Sequence, residues 1–198
     1  MKRILLAFTV ASACVALAGC TGDTPVAAPS PSTTTVTTLP TLPSADPQLV
    51  TWLDGFCGAV GGYLQRSNAY MATKPATQTL SMGEAQVDTS KDLGQVADNA
   101  GKVVDEIKAL PTVSDPQTEA AKKSALDKFT AARERATQAK AKLDAAKRGN
   151  VQAVTEAGDT LAALQQDVNG SSDPLKPFAG ADKYLAAVAA APKCKLTS

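Results

Sequence analysis

The sequence predicts an all-α protein, an antiparallel bundle of four main helices followed by a short C-terminal helix. Apolar residues recur at steps of three and four through most of residues 46–198, and capping residues and prolines stand where these stripes begin. No stretch of this region alternates apolar and polar residues as a half-buried strand would. A domain of this length buries roughly 70 % of its unfolded surface, so it can form a core of its own.

The first two predicted helices begin at local capping signals. Asp46-Pro47 places an N-cap acceptor before a proline suited to the first helical position. Ser81-Met82-Gly83-Glu84 forms a capping box, and Pro111 ends the second helix. Most aromatic residues of the domain lie on helix one, which we therefore expect at the centre of the core. The apolar stripes are Leu49, Leu53, Phe56, Val60, Tyr63, Ser67 and Tyr70 in helix one, and Leu93, Val96, Ala100, Val103, Ile107 and Leu110 in helix two.

The remaining helices are delimited in the same way. Helix three begins at Asp115-Pro116, and its alanine-rich seam predicts close helix approach and a slim bundle. The tight Gly149-Asn150 joint predicts an antiparallel hairpin with helix four, which ends at Gly170. Helix five is expected from Asp173-Pro174 to Pro192. The stripes are Ala125, Phe129, Ala132, Ala136, Ala139, Leu143 and Ala146 in helix three; Val151, Val154, Gly158, Leu161, Leu164 and Val168 in helix four; Phe178, Ala181, Leu185 and Val188 in helix five.

Helix one also contains Gly55, Gly58, Gly61 and Gly62. Each glycine weakens a helix by up to ~1 kcal/mol relative to alanine. We expect these positions to let another backbone approach closely, such as that of the last helix. A ligand approaching this face is the alternative.

The N-terminus has the layout of a secretory signal, with Lys2 and Arg3 followed by an apolar run that ends in Leu17-Ala18-Gly19-Cys20. The apolar run is shorter than the ~20 residues that a membrane-spanning helix needs. Leu-Ala-Gly-Cys resembles the lipobox of bacterial lipoproteins. This resemblance implies removal of residues 1–19 and diacylation of Cys20, which would hold the protein on the extracytoplasmic face of the cell membrane.

Residues 20–45 read as a disordered tether rich in threonine, proline and serine. Its prolines favour extended conformers, and its run of threonines is typical of O-glycosylated segments. The whole layout, residues 1–19, 20–45 and a helical domain over 46–198, resembles exported lipoproteins of actinobacteria, whose functions are often unknown. No family activity follows from it for any residue.

The chain has 4 cysteines. Cys14 would leave with the signal and Cys20 would carry lipid, so Cys57 and Cys194 remain as a pair. In an exported domain such a pair is most simply a disulfide, with two free thiols as the alternative. In the chain-entropy model the closed loop contributes on the order of 5 kcal/mol. No Cys-x-x-Cys motif suggests a redox role.

The charge of the chain is balanced, with 20 Lys and Arg against 19 Asp and Glu. Removal of a signal that contains Lys2 and Arg3 would leave 18 against 19, a net charge of −1. Such a balance lacks the excess of basic residues that binds nucleic acid. Helix three is rich in lysine and arginine, whereas residues 151–173 contain acids and no base. We interpret the contrast as pairing between helices, with binding of anionic lipid or polysaccharide as the alternative.

Several catalytic classes are excluded because the chain contains no histidine. Ser-His-Asp and Cys-His catalysis, histidine ligation of haem and Glu-x-x-His di-iron sites all require it. Asp105-Glu106 and the pair Glu156 and Asp159 are the nearest carboxylate candidates, and we expect both to be solvated surface charges. We therefore predict no catalytic residues, no metal site and no cofactor.

Two functions remain as hypotheses. The first is a non-enzymatic, membrane-anchored envelope lipoprotein whose helical domain binds a protein partner or a cell-wall component. The second is a carrier that holds a small apolar or amphipathic ligand between its helices, which the slim alanine seam disfavours. A cavity lined by the aromatic residues of helix one would favour the carrier, and a solid core with an exposed apolar or basic patch would favour partner binding.

Overall fold

A computed structural model of the protein describes residues 44–75, 79–169, 173–179 and 182–197. These residues form α-helices and two short 3-10 helices and no β-strand, which confirms the predicted all-α bundle. The predicted signal peptide, Cys20 and residues 21–43 of the tether lie outside the described residues. The helices are α1 (Pro47–Ala72), α2 (Met82–Lys108), α3 (Pro116–Ala145), α4 (Val151–Asn169) and α5 (Asp182–Ala190), with 3-10 helices at Lys176–Phe178 and Pro192–Thr197.

The first three helices begin at the predicted caps. The Asp46 carboxylate accepts the backbone N–H of the residue two further on at 2.8 Å. Ser81 and Glu84 form a reciprocal capping box, in which each side chain accepts the other residue's backbone N–H. The Asp115 carboxylate accepts two backbone N–H groups of the first turn of α3, at 2.9 and 3.3 Å. Local side-chain hydrogen bonds therefore fix these helix starts.

The predicted start of the fifth helix is wrong. Asp173 does not cap an α-helix; its carboxylate accepts the N–H of Leu175 at 2.9 Å in a turn that leads into the first 3-10 helix. Pro177 explains the difference, because an α-helix beginning at Pro174 would need the N–H of residue 177 to bond the carbonyl of Asp173. The last α-helix starts instead at Asp182.

Three of the predicted stripes also differ at individual positions. Leu185 is 54 % exposed, and the buried residues of α5 are Tyr184 and Ala187. Val151, at the start of α4, is 60 % exposed. Trp52, outside the predicted stripe of α1, is fully buried. The buried surface of α1 is therefore wider than the predicted stripe, and the buried surfaces of α4 and α5 do not include every residue of theirs.

Helix α2 contacts all three of the other long helices, and its contact with α3 is the most extensive in the bundle. The predicted hairpin is confirmed, because α4 follows α3 after a short connection and packs on it. α1 packs on α2, on α5 and on the second 3-10 helix, and within the described residues it has no comparable backbone contact with α4. Helix α1 therefore supplies large side chains to the core, as predicted, but α2 is the helix against which the other long helices pack.

The largest core side chains lie where the C-terminal segments meet α1. The Trp52 and Phe56 rings stack with centroids 4.9 Å apart, and Phe178 meets Trp52 edge-on at 5.9 Å. Beside this cluster, a disulfide joins Cys57 to Cys194, and both residues are buried. The predicted bridge is confirmed, and it fastens the C-terminal 3-10 helix to α1.

The glycines of α1 face side chains rather than another backbone. A Cβ atom at Gly55 would lie 2.5 Å from Cδ2 of Leu110, and one at Gly58 would lie 2.7 Å from Cδ of Lys193. Lys193 belongs to the C-terminal segment, whose backbone lies close to α1, since the Cα atoms of Cys57 and Cys194 are 5.0 Å apart. The prediction of a close approach is therefore correct there, although the atoms nearest to Gly58 are those of the Lys193 side chain.

Candidate functional site

A cleft of about 440 Å³ opens between α1, α2 and α4. It lies at the seam where α1 and α4 do not pack closely, so side chains of both helices form its walls and α2 forms its floor. The size falls within the ~300–1,000 Å³ typical of small-molecule sites. The lining residues are Tyr63, Leu64, Ser67, Asn68, Tyr70 and Met71 from α1, Asp92, Gln95, Val96 and Asn99 from α2, and Leu161, Gln165 and Val168 from α4.

Asn99 is the buried polar residue of the cleft floor, with only 1 % of its surface exposed. Its Oδ1 accepts a hydrogen bond from Gln95 Nε2 at 3.2 Å, and its Nδ2 donates to Ser67 Oγ at 3.5 Å. A carboxamide has two donor hydrogens and two acceptor lone pairs. Among the described residues, the two bonds use one Nδ2 hydrogen and one Oδ1 lone pair of Asn99.

The rim of the cleft is a network between the end of α1 and the first half of α2. The Tyr70 hydroxyl donates to Asp92 at 2.7 Å. Lys74 Nζ lies 2.5 Å from Asp92 and 2.9 Å from Asp88, and 5.5 Å from the centre of the Tyr70 ring. The lysine thus neutralises the carboxylate that lines the cleft.

The network also fixes the protonation of its members. Burial, together with the hydrogen bond to Asp92 and its charge, raises the pKa of Tyr70 to about 12. Partial burial lowers the pKa of Lys74, but the hydrogen bonds to Asp92 and Asp88 outweigh it, so that its pKa is raised. At neutral pH Tyr70 is therefore a hydrogen-bond donor and Lys74 is charged.

Tyr63 connects the cleft to the core. It is 5 % exposed, and its ring lies 5.5 Å from that of Phe129. Burial raises the pKa of Tyr63, which keeps its hydroxyl protonated. A second groove of about 340 Å³ lies between α3 and α4 and shares Val168 with the cleft. Its lining combines the buried Phe129 and Leu164 with the charged residues Lys128, Arg135 and Asp167.

The carboxylates that the sequence singled out do not form a site. Asp105 is exposed, and Glu106 pairs with Arg66 at 3.3 Å. Glu156 and Asp159 are exposed on α4, where Glu156 accepts a hydrogen bond from Gln152. In the part of the chain that the structure describes, no three of the residue types His, Cys, Asp and Glu converge to hold a metal ion.

The basic residues of α3 pair both within and outside their own helix. Arg135 bonds to Asp167 of α4 at 2.6 Å, which is the expected pairing between these helices. Two further lysines pair one turn along α3 itself, Lys123 with Asp127 and Lys140 with Asp144. These neighbouring acids dilute the positive field around the three paired residues of the helix.

Sequence reasoning missed the polar residues of the cleft. Gln95 and Asn99 are four residues apart and lie beside the apolar stripe of α2 that contains Val96 and Ala100. Two amide side chains at this spacing beside an apolar stripe are the sequence signal that could have predicted the polar floor of the cleft. The opposite wall, with Gln165 on α4, depends on how the helices pack and has no local signal.

None of the helices in the described part of the chain combines the length and apolar composition that crossing a membrane requires. Comparison of the chain with protein-family models, with curated proteins and with solved structures finds no match.

Proposed function

We propose that the protein is an envelope lipoprotein, held on the extracytoplasmic face of the bacterial cell membrane by lipid on Cys20, whose helical domain carries a small amphipathic ligand. The observation that carries this proposal is the cleft between α1, α2 and α4, which is lined by Tyr63 and Tyr70 of helix one. It is a non-enzymatic role, in which the domain binds and releases its ligand unchanged.

The composition of the cleft supports an amphipathic occupant. Leucine, valine and methionine side chains form much of its wall, while amide and hydroxyl groups lie on its floor and rim. A site of this kind is typical of ligands that have an apolar body and a few polar groups that fix their orientation. The expectation of a slim bundle without room for a ligand does not hold at this seam, because α1 lacks the alanine-rich surface of α3.

The anchor is supported by the Leu17-Ala18-Gly19-Cys20 motif. Replacing Cys20 by alanine removes the thiol that would be acylated, so we expect that variant to leave the membrane fraction. Cys14→Ala is the matched control, because it changes a cysteine of the same apolar segment outside the motif. If Cys20→Ala fractionates with the membrane as the wild type does, the anchor proposal is wrong.

Ligand carriage is tested by native mass spectrometry of the full protein purified from its own envelope. Gln165 and Gln166 are adjacent exposed residues of α4, but only Gln165 lines the cleft. We expect added mass on the wild type and on Gln166→Trp, and its loss from Gln165→Trp, whose indole would fill the cleft. Equal added mass on all three proteins, or repeated recovery of the bare polypeptide, would contradict the proposal.

Partner binding has support from a different surface. Met82, Val87 and Val151 are 45, 47 and 60 % exposed. Met82 Cβ lies 3.9 Å from the position of a Cβ at Gly149, so the start of α2 adjoins the connection between α3 and α4. Exposed apolar side chains near one end of a bundle are typical of protein contacts. Crosslinking in the same envelope preparation, with Val151→Asp as the variant that should lose the crosslinked species, tests this second candidate.

A further inference from the structure

We infer that the cleft selects an uncharged amphiphile with a hydroxyl-bearing headgroup, such as a polyol or sugar joined to an apolar chain, and that it excludes anionic amphiphiles. The inference rests on the proposed function and specifies the chemical class of its ligand. Three properties of the cleft support it: its charge, its hydrogen-bonding groups and its apolar extension.

The charge of the cleft excludes anions. Asp92 is the charged side chain among the lining residues, and no lysine or arginine lines the cleft. A carboxylate or phosphate headgroup placed there would be desolvated beside the Asp92 carboxylate, and the cation of the rim, Lys74, is already held by Asp92 and Asp88.

The same network disfavours a cationic headgroup. Lys74 and the Tyr70 hydroxyl already bond to the Asp92 carboxylate at 2.5 and 2.7 Å. A ligand ammonium group would have to displace the lysine, which Asp88 also holds at 2.9 Å. The charges of the rim are therefore satisfied by the protein itself, and an uncharged headgroup disturbs none of them.

The remaining polar groups of the cleft suit hydroxyls. Carboxamides and hydroxyls both donate and accept hydrogen bonds, and so does each hydroxyl group of a polyol. The amides of Asn68, Gln95 and Asn99 line one side of the cleft, and the exposed amide of Gln165 reaches it from the opposite wall. A headgroup that both donates and accepts can use both halves of such amides, whereas one that only accepts or only donates uses one half.

The apolar tail has apolar side chains beside the headgroup. Leu161 and Val168 line the cleft, and Val168 also lines the groove of about 340 Å³ together with Phe129 and Leu164, which are 4 and 1 % exposed. A headgroup at Asn99 thus places its chain along α4.

The test compares three amphiphiles that share an eight-carbon chain: octyl glucoside, octanoate and octyltrimethylammonium. Each is titrated below its micelle concentration into the full chain carrying Cys20→Ala, and heat of binding is measured. The heat due to the cleft is the difference between the heat measured without and with the Gln165→Trp replacement. This difference leaves out heat from binding to other apolar segments. We expect octyl glucoside to bind the cleft at least about tenfold more tightly than either charged amphiphile, because a charged headgroup buried there loses its hydration without gaining a partner.

A charge introduced into the cleft sharpens the test. Gln165→Lys places an ammonium group at the cleft, so we expect it to raise the affinity for octanoate by about tenfold or more, while Gln166→Lys leaves that affinity unchanged. Equal cleft affinities for the three amphiphiles, or tighter binding of a charged one to the wild type, would overturn the selectivity and leave ligand carriage standing. Heats that Gln165→Trp does not change for any amphiphile would overturn both.

Discussion

Gln86 of α2 accepts the backbone N–H of Gly149 on its Oε1 at 2.8 Å. Its Nε2 donates to the carbonyl oxygens of Leu143 and Ala146 at 2.9 and 3.3 Å, at the end of α3. Gly149 has a φ of 77°, which glycine adopts without strain. A side chain from one helix therefore caps the carbonyl end of another and holds the connection to α4.

Replacing Gln86 by methionine keeps the approximate volume of the side chain and removes these hydrogen bonds. Because Gln86 is 8 % exposed, the backbone groups left behind are mostly shielded from water. We expect a loss of about 1–3 kcal/mol in the free energy of unfolding, measured by urea denaturation. Gln65→Met, at an exposed position of α1, is the control. Equal stability of the two variants would show that the cap contributes nothing.

Two glycines differ in the space around them, and alanine should distinguish them. A Cβ at Gly158 of α4 would meet no atom within 4 Å, so Gly158→Ala should stabilise the protein by up to ~1 kcal/mol through helix propensity. Gly55→Ala gains the same propensity, but its Cβ would lie 2.5 Å from Leu110 Cδ2. We expect the Gly55 variant to be less stable than the Gly158 variant in urea unfolding. The reverse order would mean that Leu110 moves without cost.

Acid should weaken the junction between α3 and α5 through Asp115. Burial opposes ionisation, but hydrogen bonds from Lys183, from Tyr184 and from two backbone N–H groups hold the pKa of Asp115 at about 2, below its ordinary 3.8. A lowered folded-state pKa gives stability that is present above pH ~4 and is lost as the pH falls towards 2. Asp115→Asn can still cap α3, so its thermal midpoint should fall less than that of the wild type between pH 5 and 2. Parallel curves for the two proteins would contradict this expectation.

Loss of the disulfide should destabilise the whole domain. Cys57 and Cys194 are 137 residues apart, and removing such a bridge costs ~2–5 kcal/mol. The double replacement by alanine should lower the urea midpoint by a corresponding amount. As a check on the native protein, reduction should add ~2 Da to its mass. Complete alkylation of both cysteines without a reductant would refute the bridge.

The parts of the fold that were predictable from sequence are those set by local chemistry. Asp46, Ser81 and Asp115 cap their helices because each needs only the backbone within the next turn. The pairing of Cys57 with Cys194 followed from the assignment of Cys20 to lipid, and the structure confirms it. In contrast, Asp173-Pro174 has the form of a helix start, but no α-helix begins there because Pro177 cannot donate the N–H that its first turn needs.

The candidate site was not predictable in the same way. The cleft exists because α1 packs on α2 and on the C-terminal segments while leaving its seam with α4 open. That arrangement depends on contacts between segments far apart in the sequence, such as Trp52 with Phe178. Periodicity identifies the apolar face of each helix, but it does not determine which two helices leave a gap between their apolar faces.

The bridge between Cys57 and Cys194 makes most of the domain a covalent ring with a tail at its N-terminal end. A protease that cuts one connection between the helices, for example at the exposed Pro75 after α1, opens the ring without dividing the molecule. Both pieces stay attached to residues 1–56. Releasing a part of the ring from this N-terminal segment therefore requires two cuts within the ring, a cut before Cys57, or one cut together with reduction.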